Sequence, residues 1–230
     1  MKKIFVAMLA LAAAAACSNE DIVSVNQEAI GFDNAFINNS VRSVETPGYS
    51  QASMFNDFAV YGFVQGASLF NGVQVAKTGV TNTELKSEWK YEGTQYWIAG
   101  ANYNFHAVAP MTDGDWTKTA ATKDGVTLEF TNNNGTTDLL YALKAQQGKA
   151  EGNAAVAVDF RHILSKVKFS FENAYNATNA TISVKDIAIT NAYAKGTVVL
   201  DANTNWTGDT SFTTLNFGMA TDNEATEDKE

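Results

Sequence analysis

The stretch "VDFRHILSKVKFSF", residues 158 to 171, decides how the chain is read. Val156, Val158, Phe160, His162 and Leu164 share one parity, whereas Val167, Phe169 and Phe171 share the other. Side chains of a strand alternate faces, so a slip of one residue turns a buried set outward. One straight strand cannot bury both sets against one core. The slip at Leu164 to Lys166 is therefore read as a junction between two β-sandwiches, with a bulge at Ser165 inside one domain as the alternative. On this reading Phe160, His162 and Leu164 face the first core, and Val167 and Phe169 the second.

The surrounding sequence is built from short apolar runs between Asn, Gly, Thr and Asp clusters, the habit of sandwiches and barrels. "EAIGFDNAF" offers Ile30 and Phe32 on one parity as a first strand, Ile30 to Phe36. In "MFNDFAVYGFV", Phe58, Val60 and Val64 oppose Tyr61 and Phe63. Asn71-Gly72 signals a hairpin turn, and Glu92-Gly93 a turn between Trp89-x-Tyr91 and Tyr96-Trp97. "ANYNFHAVAP" sets Tyr103, Phe105, Ala107 and Ala109 against Asn104 and His106, and Val126, Leu128 and Phe130 share a face. A later hairpin is expected around Tyr193 to Gly196. The class is all-β.

The start of the chain is of another kind. "MKKIFVAMLALAAAAACSNED" has two lysines, an apolar run and small residues ending at Cys17, which is the pattern of a secretory signal peptide over residues 1–17. The run is shorter than the roughly 20 residues that span a bilayer. Cys17 is the single cysteine, so no intramolecular disulfide can form. Ala14-Ala15-Ala16-Cys17 resembles a bacterial lipobox, with Ala14 where leucine is usual, and "SNED" resembles a surface-export signal. Lipidation at Cys17 would anchor the protein in the outer membrane, since each buried methylene contributes about 0.8 kcal/mol. With Lys2 and Lys3 removed, 14 basic residues face 25 acidic ones, a net charge of about −11. That leaves no basic surface for nucleic acid. Residues 219–230 are acidic and read as a disordered tail.

"FRHILSKVKFSFEN", with "YGFV", "YWIAGANYNFHAVAP" and "DLLYA" before it, resembles the fimbrillin (Mfa-like) proteins over roughly residues 28 to 200. Its most specific run holds Phe160, His162, Leu164, Ser165, Lys166 and Val167. The resemblance implies tandem transthyretin-like Greek-key β-sandwich domains, here 47–164 and a short, incomplete 165–218. Residues 18–46 would carry the first strand and a cleavage site, for which Arg42-Ser43 is the candidate. It further implies a type V pilus subunit or accessory protein at the cell surface. Cleavage would free the first strand, and a strand from another fimbrial subunit would take its place by β-augmentation. Adhesion to a host or bacterial surface ligand would be the biological result.

Enzymatic readings find little support. Strand geometry sends Asp159 and Arg161 away from His162, which is expected to be a largely buried structural residue, as is His106. A general base needs a partner in hydrogen-bond reach. Two histidines and "DGDW" at 113 to 116 make no metal set, the latter lacking the calcium-loop pattern. No phosphate loop or nucleophile elbow is present, and no cofactor is expected. The rival reading is a glycan-binding surface lipoprotein using Trp89, Tyr91, Tyr96, Trp97 and Trp116 as a stacking platform. Aromatic residues paired across strands are more often sandwich core, and Trp89 and Tyr91 share one face as core residues would.

Overall fold

A computed structural model describes residues 28–37, 55–80, 87–112, 114–133, 135–171 and 184–217. Cys17, Arg42, Ser43, Asp113 and the tail 219–230 lie outside the described residues. Those described form thirteen strands and no helix. They are β1 (Phe32–Ile37), β2 (Asp57–Val64), β3 (Ala67–Val80), β4 (Ser87–Lys90), β5 (Asn102–Ala109), β6 (Trp116–Thr122) and β7 (Gly125–Thr131). After these come β8 (Leu140–Gln147), β9 (Val156–His162), β10 (Ala188–Tyr193), β11 (Lys195–Leu200), β12 (Asn205–Gly208) and β13 (Phe212–Asn216).

Seven strands close a barrel in the order β1-β4-β3-β2-β5-β8-β9. The four-stranded sheet β12-β11-β7-β6 packs on its outside. Alternation dictates this layering, because β2, β5 and β8 are buried on both faces. Phe58 and Val60, Tyr103, Phe105 and Ala107, and Leu140 and Ala142 point into the barrel. Ala59, Tyr61 and Phe63, Val108, and Tyr141 point outward onto Val126, Leu128 and Phe130 of β7 and Val198 and Leu200 of β11. Burial of apolar area contributes roughly 25 cal/mol per Å², so these two facing layers supply most of the driving force. The parities expected for β2, β5 and β7 are those observed.

Asn71-Gly72 is not a turn but an interruption inside β3. Val60 opposes Val73 while Tyr61 opposes Asn71, leaving Gly72 as the extra residue of a β-bulge. Gly72 has φ +72°, and a Cβ there would stand 3.2 Å from the Tyr61 ring. The β2–β3 reversal falls instead at Gln65-Gly66, both at positive φ.

The expected hairpin around Tyr193 to Gly196 is also corrected. β10 pairs with β13, whereas β11 pairs with β7 from Lys195↔Thr131 to Leu200↔Val126 and with β12. Consequently the four-stranded sheet draws strands from both sides of the Leu164–Ser165 division, and β10 and β13 form a sheet of their own. The strand through the parity slip stops at His162, and residues 163–171 are in no strand. Leu164 packs, partly buried, against the outer layer rather than beside Phe160 in the barrel. Val167, Phe169 and Phe171 are exposed, Phe171 by 58%.

His162 corrects a further expectation. It follows Phe160 in parity but sits where β9 leaves the barrel rim, opposite Leu140. Its side chain is exposed and pairs with Asp138, Nδ1 to Oδ2 2.7 Å. Arg161 and Asp159 are exposed on the other parity, as expected. The Arg161 guanidinium donates to the Asp201 carbonyl and Thr204 Oγ1, tying β9 to the turn after β11.

Candidate functional site

The seat of β1 differs on its two sides. β1 lies between β9 and β4 and closes the barrel. It runs parallel to β9, pairing Phe32↔Val156, Asp33↔Ala157, Phe36↔Asp159 and Ile37↔Phe160, with a register shift between Asp33 and Phe36. Against β4, the antiparallel pair among the described residues is Phe32↔Trp89. Parallel pairs are slightly less stable per residue, and a register shift interrupts this one.

Side chains compensate for that sparse ladder. Ile30 and Phe32 are 1% and 5% exposed, so the lead-in and first residue of β1 are part of the barrel core. The Phe32 ring meets Phe58, Phe70, Tyr91 and Phe105 edge-on, with centroids 5.6–6.1 Å apart. Such pairs contribute about 0.5–1.5 kcal/mol beyond area burial. Backbone bonds bracket the same residues: Ile30 N donates to Gln95 O (2.8 Å) and Val156 N to Gly31 O (2.8 Å). Tyr91 Oη donates to the Ile30 carbonyl at 2.7 Å, and burial raises the pKa of that phenol.

At the leading end, Glu28 is held by a clasp that local sequence does not reveal. Its Oε1 accepts from Gly152 N (2.8 Å), and its Oε2 accepts from Asn153 N (2.6 Å) and Asn153 Nδ2 (2.7 Å). Trp97 N donates to its carbonyl at 3.0 Å. The bonds from Asn153 and then Gly152 hold the carboxyl below its ordinary pKa. Glu28 and Asn153 are 125 residues apart, and no spacing rule links them. A glutamate sharing parity with Ile30 and Phe32 was the one available signal.

The residues named from sequence distribute unevenly. Phe160 is in the barrel core, and its ring meets Phe55 and Phe58. Ser165, Lys166 and Val167 are exposed beyond β9, so the signature run does not converge on one place. His106 is fully buried, with Nδ1 to Tyr141 Oη 2.7 Å and Nε2 to the Lys123 carbonyl 3.0 Å. Nε2 faces a carbonyl and carries the proton. Burial pushes the His106 pKa down. Its partners are a phenol and a carbonyl inside a packed layer, an arrangement suited to structure.

The five aromatic residues of the rival platform do not share an exposed plane. Trp97 is buried, Trp89 and Tyr91 pack partly buried on the barrel core, and Trp116 packs on the outer layer and donates Nε1–H to the Pro110 carbonyl. Tyr96 alone of the five is largely exposed, at 46%. Of "DGDW", Asp115 accepts from Thr137 Oγ1, a residue 22 positions later in the chain. Among the described residues no group of three or more His, Cys, Asp or Glu could hold a metal ion.

A family model described as fimbrillin-like matches residues 50–229. The match begins after β1 and includes every other strand of the barrel. No curated protein and no solved structure matches the chain.

Proposed function

Because the chain belongs to the fimbrillin-like family, we propose that it is a structural or accessory subunit of a cell-surface fimbria whose β1 holds the place of a strand from another subunit. A fimbrial role at the cell surface is the family's own. The observation that carries the finer reading is the way β1 is seated. Ile30 and Phe32 complete the barrel core, while among the described residues the β1 backbone pairs with β4 at one residue pair and with β9 through a shifted register. A strand held so can be replaced by another that supplies the same side chains. Its loss would bare the edges of β4 and β9 and an aromatic trough, a template for a foreign strand.

Cleavage after Arg42 would cut the segment 38–54 that joins β1 to β2, leaving β1 held by non-covalent bonds alone. Lipidation of Cys17 would keep the precursor on the outer membrane until that cut. The exposed apolar residues Phe169 and Phe171, with Phe217 beside Phe169, belong with β10 and β13 to the proposed second unit within 165–218. Adhesion follows from polymer assembly and does not need a catalytic group.

N-terminal sequencing of the protein in isolated surface fibres tests the reading. The expected chain begins at Ser43. Fibres whose subunits retain residues 28–37 in covalent continuity with β2 would overturn it.

A further inference from the structure

The clasp on Glu28 bears on which strands the groove accepts, an inference that rests on the exchange reading above. Glu28, Ile30 and Phe32 share one parity, so an extended chain presents all three to the same side. The acid meets the turn before β9, the aliphatic residue enters the core, and the aromatic residue fills the ring of Phe58, Phe70, Tyr91 and Phe105.

The acceptor for the acid is organised by the turn itself. Asn153 Oδ1 accepts from Lys149 N (2.7 Å), and Asn153 Nδ2 also donates to the Lys149 carbonyl (3.0 Å). Gly152, at φ +70°, turns its N–H toward the same carboxylate. Three donors therefore converge on one anion, on a turn fixed by bonds that do not involve β1. Charge-assisted bonds of this kind are shorter and about twice as strong as neutral ones. A carboxamide in place of the acid would turn an N–H toward one of these donors.

Direction follows from the same geometry. The acid leads, and the aromatic residue comes four positions later, parallel to β9. A strand entering the other way would carry its acid to the opposite rim, away from Gly152 and Asn153.

We propose that the groove recognises its occupant, resident or incoming, by an acid-x-aliphatic-x-aromatic pattern running parallel to β9, with Gly152 and Asn153 as the residues that read the acid. The test uses the full-length chain with an engineered protease site between residues 38 and 54, cut so that β1 stays in place non-covalently. Labelled peptides spanning residues 27–37 then compete for the groove. The peptide carrying Glu28→Gln should bind about tenfold more weakly than the parent. Phe32→Ala should cost about a hundredfold. Ala29→Ser, at an exposed side chain of the other parity, should bind like the parent. In the Asn153→Ala protein the difference between Glu and Gln peptides should shrink severalfold.

Equal binding of the parent and Glu28→Gln peptides, or equal binding of a reversed-sequence peptide, would overturn the proposal. If the parent peptide stays out as well, the exchange reading fails. Hydrogen exchange in the uncut chain then decides the recognition by itself. Glu28→Gln should speed exchange selectively at the Ile30, Trp97 and Val156 amides, and unchanged protection there would refute the role of the acid.

Discussion

Tyr141 Oη lies 2.7 Å from His106 Nδ1, and the same oxygen lies 3.0 Å from the Leu200 carbonyl. One phenol hydrogen therefore faces two acceptors, one in the barrel strand β5 and one in β11 of the outer sheet. The pair pins the two layers together at a buried point, and the Arg161 guanidinium lies over the Tyr141 ring at 5.6 Å. Burial raises the Tyr141 pKa, so the phenol stays protonated throughout the ordinary pH range.

Tyr141→Phe should destabilise the protein by about 1–3 kcal/mol, because it strands His106 Nδ1 without a donor. The same site predicts a pH effect. Burial, opposed by the Lys123 carbonyl and Asp124, holds the His106 pKa below the ordinary 6.5. The unfolded chain then binds more protons than the native one, so this contribution is full above pH 6.5 and is lost as pH falls through the lower native value. Denaturant midpoints measured downward from pH 7 should fall in the parent and fall less in His106→Phe.

Asp57 should govern a second, more acidic window. It is 6% exposed, and burial pushes its pKa upward. Bonds from Thr112 Oγ1 and N, Gln74 Nε2 and Met111 N outweigh burial and hold the carboxyl below 3.8. A depressed acid contributes stability above its unfolded pKa and loses it as pH falls through the native one. Asp57→Ala should cost about 2–3 kcal/mol at pH 7 and progressively less below pH 4, read from urea midpoints at each pH.

Phe32→Ala should cost about 3–5 kcal/mol, since it empties the centre of the aromatic box. Phe171→Ala, at a residue 58% exposed, should stay within about 0.5 kcal/mol. Chemical denaturation of the two variants side by side checks the ordering. Equal losses would mean that Phe171 has a packing role of its own.

Gly72→Ala forces an L side chain into left-handed backbone and places its Cβ 3.2 Å from the Tyr61 ring. About 1–2 kcal/mol is expected from the backbone, with the ring contact added to it. Thermal unfolding checks the loss. Gly93→Ala is the control that separates the two parts, because it shares positive φ but has nothing within 4 Å of its Cβ.

Alternation in β2, β5 and β7 made both core layers legible, because period two states which residues share a face. It does not state which strand lies alongside. Hence β10 and β11, adjacent in sequence, took different partners, β13 and β7. Asn-Gly reports that positive φ is easy, which serves a bulge as well as a turn. His162 kept the inward parity, yet the barrel ended there and its imidazole met Asp138 at the surface. For Glu28 only its parity with Ile30 and Phe32 was legible, since its donors come from a turn that the fold alone brings beside it.

The direction of β1 also constrains symmetry. Under the proposed exchange, the surface that gives a strand and the trough that takes one are different patches of the subunit. Such a contact is heterologous, and repeated without closing into a ring it builds an open fibre with two unlike ends. One end would present a free donor segment, and the other a trough with no neighbour to fill it. Parallel seating against β9 thus sets a polarity for the whole fibre, and subunits would add at one end by a different step from the other.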